Sequence, residues 1–199
     1  MVGPKSAFAI IIAGPSGAGK TTLARLAVGG DPKLRFSVSD TSRPRREKET
    51  DGVDYRFLTE EAFAKRIGED AYAEWARVHG DYYGTPRSEI EGAAARGEDL
   101  ILDIDVQGAE QIRAGYPDAV GIFIVPPSWD VLEGRLRKRK TDSEDRIRTR
   151  LANAREELAR KFEYDYIVIN DDLATARETV LSIIRAERCR AKRLKEATR

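Results

Sequence analysis

The sequence predicts an α/β fold: a parallel sheet of buried strands with helices on both faces. Three observations predict it. Short, unbroken apolar runs recur along the chain ("FAIIIA" at 8–13, "LILDIDV" at 100–106, "VGIFIV" at 120–125, "YIVIN" at 166–170). Strands covered on both faces have this pattern, whereas half-exposed strands alternate with polar residues. Segments of helical period separate the runs, and alternation of this kind builds parallel sheets. Finally, the Gly-rich stretch "GPSGAGKT" (14–21) joins the first apolar run to the first helical one.

The elements follow in order. "FAIIIA" is the first core strand, and "KTTLARLAV" is the helix after it. "FSVS" (Phe36–Ser39) reads as a second short strand. "DTSRPRREKETDGVD" is polar, Pro-broken and rich in arginine, so it reads as a loop, and loops of that length inside a domain are often functional. "YRFL" and "AYAEWARV" read as strands flanking the helix "TEEAFAKRIG", with Thr59 as N-cap. "PRSEIEGAAARG" is a helix starting on Pro86 and ending near Gly97. Beyond the strands at 100–106 and 120–125, Ser128 caps the helix "SWDVLEGRLRKR". "TDSEDRIRTRLANAREELARKF" is a long charged helix, "YIVIN" a last strand, and "DDLATARETVLSIIRAERCRAKRLKEATR" a helix that becomes basic and solvated after Arg185. Residues 39–92 break the strand–helix rhythm and read as an inserted subdomain, and 137–156 as a second, helical insert. The core then comprises 5–38, 93–136 and 157–199 of a single domain.

Bulk properties narrow the function classes. Lys plus Arg number 35 and Asp plus Glu 34, so a net charge of +1 gives no global pull toward nucleic acid or membrane. The single cysteine, Cys189, has no internal disulfide partner, which suits a reducing cytoplasm. The apolar run near the N-terminus leads straight into the Gly-rich loop and reads as a core strand rather than a leader. No stretch approaches the roughly 20 apolar residues of a membrane span.

"GPSGAGKT" fits G-x-x-x-x-G-K-[ST] at Gly14, Gly19, Lys20 and Thr21. Glycines let successive backbone N–H groups turn inward as an anion nest, and the following helix adds its positive dipole end. Lys20 reaches the outer phosphates, and the Thr21 hydroxyl faces Mg²⁺. A strand before and a helix after complete the context of a nucleotide site for ATP or GTP. Asp103 and Asp105, two apart at the end of a buried strand, point to one face. Buried carboxylates need a partner: a Mg²⁺ ion in a Walker-B-like role for Asp103, a donor on a substrate, or the N-terminus of the next helix. Arginines cluster at 43, 45 and 46 and again at 135, 139 and 150. A charge run is usually a solvated face, but phosphoryl transfer uses arginines to meet charge spread over the moving group.

Taken together, "GPSGAGKTTL", "SVSxTSR", "DGVDYRF", "EWARVHGDYYGT", "LDIDVQGA", "PPS" and "VINDDL", in this order over nearly the whole chain, resemble guanylate kinase. The resemblance implies a P-loop NTPase-type parallel sheet of five strands, a small mixed α/β insert that binds GMP, and a helical lid that closes. It implies the reaction ATP + GMP → ADP + GDP with Mg²⁺. By that resemblance Gly14, Pro15, Ser16, Gly17, Ala18, Gly19, Lys20, Thr21, Thr22 and Asn170 hold ATP, with Asn170 at the adenine. Thr21 and Asp103 hold the metal. Ser39 and Glu74 meet the guanine, with Thr85 and Asp105 nearby, while Arg43, Arg46, Tyr55 and Tyr83 hold the GMP phosphate. Lys20, Arg43, Arg135, Arg139 and Arg150 serve the transfer itself. The chemistry of Glu74 supports this independently. Guanine offers two adjacent donors, and a carboxylate accepts both.

The acceptor loop departs from the common family form. Arg45 stands at a usual proline, and Glu47 and Lys48 at a usual Pro-Gly pair. Asp40 is unexpected there and reads as a local ion pair with Arg45. Lys140 stands where glycine is frequent in the lid, and His79 needs no catalytic role. Two other classes remain open from sequence: an interaction module of the same fold without catalysis, and a kinase of another phosphorylated small molecule.

Overall fold

The computed structural model describes residues 2–5, 7–78, 80–138 and 144–196. Along the chain run β1 (Val2–Lys5), β2 (Ala9–Ala13), α1 (Lys20–Gly30), β3 (Leu34–Phe36), β4 (Asp40–Thr41), β5 (Arg56–Phe57), α2 (Glu60–Gly68), β6 (Tyr72–Val78) and β7 (Asp81–Pro86). There follow α3 (Arg87–Arg96), β8 (Asp99–Asp103), α4 (Val106–Gly115), β9 (Val120–Val125), α5 (Trp129–Arg137), α6 (Glu144–Ala159), β10 (Tyr166–Ile169), α7 (Leu173–Glu187) and β11 (Leu194–Glu196).

Five strands form the central sheet in the order β10-β9-β2-β8-β3, and every pairing is parallel. Strand β2 is the middle strand, which explains its unbroken apolar sequence. Its side chains alternate between faces. Ile10 and Ile12 pack with α1 and α7, and Ala9, Ile11 and Ala13 pack with α3 and α4. Ile10, Ile11 and Ile12 are fully buried, and each contributes about 1.5–3 kcal/mol of burial. Chain order reverses around β2, so the loop after it opens at a topological switch point, where open α/β sheets bind ligands.

Residues of the predicted first insert build a four-stranded sheet, β5-β4-β7-β6, parallel between β4 and β5 and antiparallel elsewhere. Phe63 of α2 anchors it, fully buried and stacked between Tyr72 at 4.5 Å and Tyr82 at 5.2 Å. Thr59 caps α2 as expected, accepting from Ala62 N at 3.1 Å. Ser128 caps α5 by accepting from Val131 N at 3.2 Å, and Gly97 ends α3 in the left-handed region.

Four expectations are corrected, and one strand with no expectation attached to it is added. The second strand forms at Leu34–Phe36 rather than 36–39, because the chain leaves β8 after Phe36, with a last bond from Ser37 N to Ile101 O at 2.9 Å, and turns toward the insert. Pro86 ends β7 and precedes α3 instead of starting it. Strand β7, which Gly84 and Pro86 disguise, pairs with β6 from Tyr72 to Val78. Asp105 lies beyond β8 and caps α4, accepting from Gly108 N at 2.9 Å, so it shares no strand face with Asp103. The basic tail is not a solvated helix end. After α7 stops at Glu187 the chain folds back, and β11 pairs antiparallel with β1. Arg193, 3% exposed, stacks its guanidinium 3.9 Å over Phe8 and donates to Asp118 O at 2.8 Å. His79, Arg139 and Lys140 lie outside the described residues.

Candidate active site

A cleft of about 1220 Å³ opens between the carboxyl ends of the central strands, the four-stranded sheet and α6. Its floor is the Gly-rich loop. Gly14, Gly17 and Gly19 all have positive φ, the conformation that turns backbone N–H groups toward one centre. Helix α1 begins there with no side-chain cap and no acid in its first turn, so its N–H groups and dipole face the cleft. Gly14, Ser16, Gly17, Gly19, Lys20, Thr21 and Thr22 line it, whereas Pro15 and Ala18 serve the loop's own structure: Ala18 N donates to Pro15 O at 3.0 Å. The Lys20 ammonium donates to the carbonyls of Gly14 at 2.7 Å and Pro15 at 3.3 Å. Asp103, at the end of β8, accepts from the Thr21 hydroxyl. Burial raises the Asp103 pKa, against the pull of Lys20 and the Thr21 bond. An all-oxygen pair of this kind beside a phosphate loop fits Mg²⁺.

Asn170 is brought to the loop but turned inward. It is 4% exposed, donates to Ala18 O at 2.7 Å, and does not line the cleft. A Cβ on Gly19 would sit 2.3 Å from its amide nitrogen, so glycine is required there twice over, by φ and by space. Arg135 donates to Asn170 O at 3.1 Å, and its second terminal nitrogen is buried without a hydrogen-bond partner among the described residues. Arg150 lines the cleft from α6.

The opposite wall holds the residues expected to bind the acceptor. Ser39, Arg43, Arg46, Tyr55, Glu74, Tyr83 and Asp105 all line it. Arg43 lies 5.6 Å above the Tyr55 ring, and Tyr55 meets Tyr83 edge-on at 6.0 Å. Burial, reinforced by the Asp103 charge, pushes the Tyr55 hydroxyl up to about 12, so it remains a donor. Arg46 lines the cleft and Arg45 does not. Thr85 is fully buried and donates to Glu74 at 2.6 Å. Glu74 is 4% exposed, and Gly108 backs it so closely that a Cβ there would stand 2.5 Å from its carboxylate. Burial pushes Glu74 up to about 7. The Thr85 bond opposes that shift and the Asp105 charge adds to it.

The expected Asp40–Arg45 pair does not form. Asp40 is fully buried behind the sheet, bound by Arg66 at 2.6 Å, Arg56 at 3.4 Å and the Tyr72 hydroxyl at 2.8 Å. Ser39 lines the cleft, whereas its neighbour Asp40 does not. Arg45 instead donates to Glu49 O at 2.9 Å.

Several cleft residues escape sequence reasoning. Glu49 ties the acceptor loop by accepting from Arg43 at 2.8 Å and from Arg46 N at 2.8 Å. Arg25 reaches Asp54 at 2.6 Å across the cleft, and its position one helical turn after Thr21 was a usable signal. Arg146 and Thr149 share the cleft face of α6 with Arg150, again by helical spacing. Glu157 lies farther along that face. Burial raises its pKa against the attraction of Lys20.

The fold and this cleft define a P-loop phosphotransferase of the mononucleotide-kinase kind. The guanylate kinase family model matches residues 6–187, and the chain belongs to that family. It is 51% identical to the guanylate kinase of Syntrophotalea carbinolica over 191 residues, covering 96% of this chain and 91% of that one. It is 46% identical to that of Symbiobacterium thermophilum over 184 residues, covering 92% and 87%. A crystal structure of guanylate kinase from Anaplasma phagocytophilum superposes with a TM-score of 0.81 at 29% identity, covering 98% of this chain and 92% of that one.

Proposed function

We propose that the protein transfers the γ-phosphoryl group of ATP to GMP, giving ADP and GDP, with the labour divided among three walls of the cleft. The observation that carries this reading is Glu74. A buried carboxylate, oriented by Thr85, faces the same cleft as the phosphate loop. It accepts the paired N1–H and 2-amino donors of guanine, and adenine has no such pair.

Residues 39–92 form the acceptor insert, in which Ser39 and Glu74 take the base and Arg43, Arg46, Tyr55 and Tyr83 take the phosphate. The arginines can bind phosphate oxygens bidentately and the tyrosines donate single bonds. Residues 137–156 form the lid, which brings Arg150 over the transferring group with Arg135 at its base, and Arg139 is assigned to the same step by the family resemblance alone. Thr21 and Asp103 would hold Mg²⁺, which supplies positive charge to the donor phosphates when bound. Lys20 adds its own charge where negative charge develops. The acceptor is an ionised phosphate, so no general base is required. The phosphate loop and the Thr21–Asp103 pair are equipment for transfer that an interaction module does not need. The single cysteine and near-neutral charge suit a cytoplasmic enzyme with no nucleic-acid partner, and no described helix is long and apolar enough to cross a membrane.

A coupled ADP-release assay with ATP, Mg²⁺ and each of GMP, AMP, UMP and CMP tests the reading. GMP-selective turnover is expected. Equal turnover of GMP and AMP overturns the role of Glu74 and with it the acceptor assignment.

A further inference from the structure

The four-stranded sheet joins the central domain through two chain crossings, Ser37–Ser39 going out and Pro86–Arg87 coming back. A polar network locks them together. Glu89, in the first turn of α3, accepts from Val38 N at 3.2 Å with one carboxylate oxygen and from Arg56 with the other. The Arg56 fork also donates to Val38 O at 2.8 Å and to Asp40 at 3.4 Å, and its backbone N–H donates to Ser39 O at 2.9 Å. Asp40, fully buried, is held in turn by Arg66 at 2.6 Å and Tyr72 at 2.8 Å. Both polar groups of Val38, the carbonyl of Ser39 and the side chain of Asp40 are therefore all bound, while Ser39 itself lines the cleft, as Ser37 does.

We infer that Glu89, Arg56 and Asp40 form a clasp that positions Ser39 for the acceptor base. The inference rests on the assignment of Ser39 to that base. Charged groups are costly to bury, and replacing such a network by apolar side chains often costs no stability. What the network adds is direction: each bond fixes one orientation of the backbone that links the central sheet to the four-stranded one. A residue ordered before binding loses less freedom when the ligand arrives, which raises affinity without a new contact. Arg56 is suited to this because its planar fork reaches Val38, Asp40 and Glu89 at once, whereas a lysine ammonium cannot.

A double-mutant cycle separates positioning from mere stabilisation. The Kd for GMP would be measured by calorimetry in the wild type, Ser39→Ala, Glu89→Gln and the double variant, with ATP binding alongside. If Glu89 acts through Ser39, Glu89→Gln weakens GMP about tenfold in the wild-type background but less than about twofold in the Ser39→Ala background, with ATP unaffected. Equal weakening in both backgrounds, with wild-type preference for GMP over AMP intact, overturns the clasp alone. Wild-type protein that binds AMP as tightly as GMP removes the acceptor assignment and the clasp with it. Should Glu89→Gln fail to fold, Arg56→Lys enters the same cycle with the same expected pattern, since it keeps the charge and loses the fork.

Discussion

A carboxyl group shut away from water holds its proton more tightly, and Glu74 is such a group, pushed from 4.5 up to about 7 by burial. Guanine donates two hydrogens and so selects the ionised form. GMP binding must therefore draw off a proton at low pH, and the KM for GMP should fall as pH rises from about 6 to about 8. GMP's own phosphate also titrates near pH 6, so Glu74→Gln supplies the baseline. The variant should lose the Glu74 share of the pH dependence and show a KM for GMP about tenfold higher, with the KM for ATP unchanged. An equal effect on both substrates would remove Glu74 from the base. The same shift has a cost in the unliganded protein: the folded form binds the proton more tightly than the unfolded chain, so the Glu74 contribution to stability declines as pH rises from 4.5 to about 7 and then levels.

At the scale of elements, the acceptor sheet carries its own small core. Phe63 lies between the rings of Tyr72 and Tyr82, and Trp75 meets Tyr82 edge-on at 5.9 Å. This core is separate from the two that cover the faces of the central sheet. Ala73 of β6 packs against the core on the α3–α4 face, and the amide of Gln111 on α4 accepts from Trp75 N at 3.2 Å and donates to Trp75 O at 2.8 Å. Phe63→Ala should cost about 3–5 kcal/mol, concentrated in this sheet. Hydrogen exchange should speed up at the amides of β6 and β7 while those of β2 and β9 stay protected, and GMP turnover should fall with ATP binding retained. Uniform loss of protection would show instead that the insert and the central sheet unfold as one unit. Position explains the Asp40 correction. Asp40 is fully buried with Arg56, Arg66 and Tyr72, whereas Arg45 lies on the exposed loop and donates to Glu49 O.

Across the whole molecule, the two ends of the chain are fastened to the middle. Arg188, just past α7, donates to Asp99 at 2.6 Å and to Asp31, and Asp99 also accepts from Phe8 N at 3.1 Å. One guanidinium thus joins the start of β8, the α1–β3 loop and the entry to β2. Arg188→Met would leave two largely buried carboxylates without their cation, and a loss of about 2–4 kcal/mol is expected, read from urea unfolding, with KM values for both substrates unchanged. Burial raises the Asp31 pKa, but its bonds to Arg188 and to Lys33 N outweigh that and hold it below 3.8. A depressed carboxyl pKa stabilises above the unfolded value and is lost as pH falls through the folded one. The acid limb of the stability curve should therefore flatten in Arg188→Met. An unchanged limb would show that Arg188 is not what holds Asp31 ionised.

What the sequence by itself determined is whatever is local or periodic. The phosphate loop is eight consecutive residues whose glycines, lysine and threonine have roles set by their spacing alone. The core strands announce themselves because a strand buried on both faces has no room for polar alternation, and Thr59, Ser128 and Gly97 mark helix ends by chemistry within three residues. Glu74 stood out as a lone carboxylate in a strand of otherwise apolar character. Only the tertiary structure decided the rest, because it depends on partners far apart in the chain. Strand β7 exists because β6 offers it a ladder, despite its Gly84 and Pro86. Asp40 faces Arg56 and Arg66 rather than Arg45 because of the side of the sheet it emerges on. Glu49, Arg25 and Glu157 face the cleft because three separate elements converge there. The basic tail folds back to pair β11 with β1, and Arg188 meets Asp99 across 89 residues of sequence. Spacing encodes a loop or a helix face; the meeting of charges so distant in the chain is encoded only once the core has packed and brought them together.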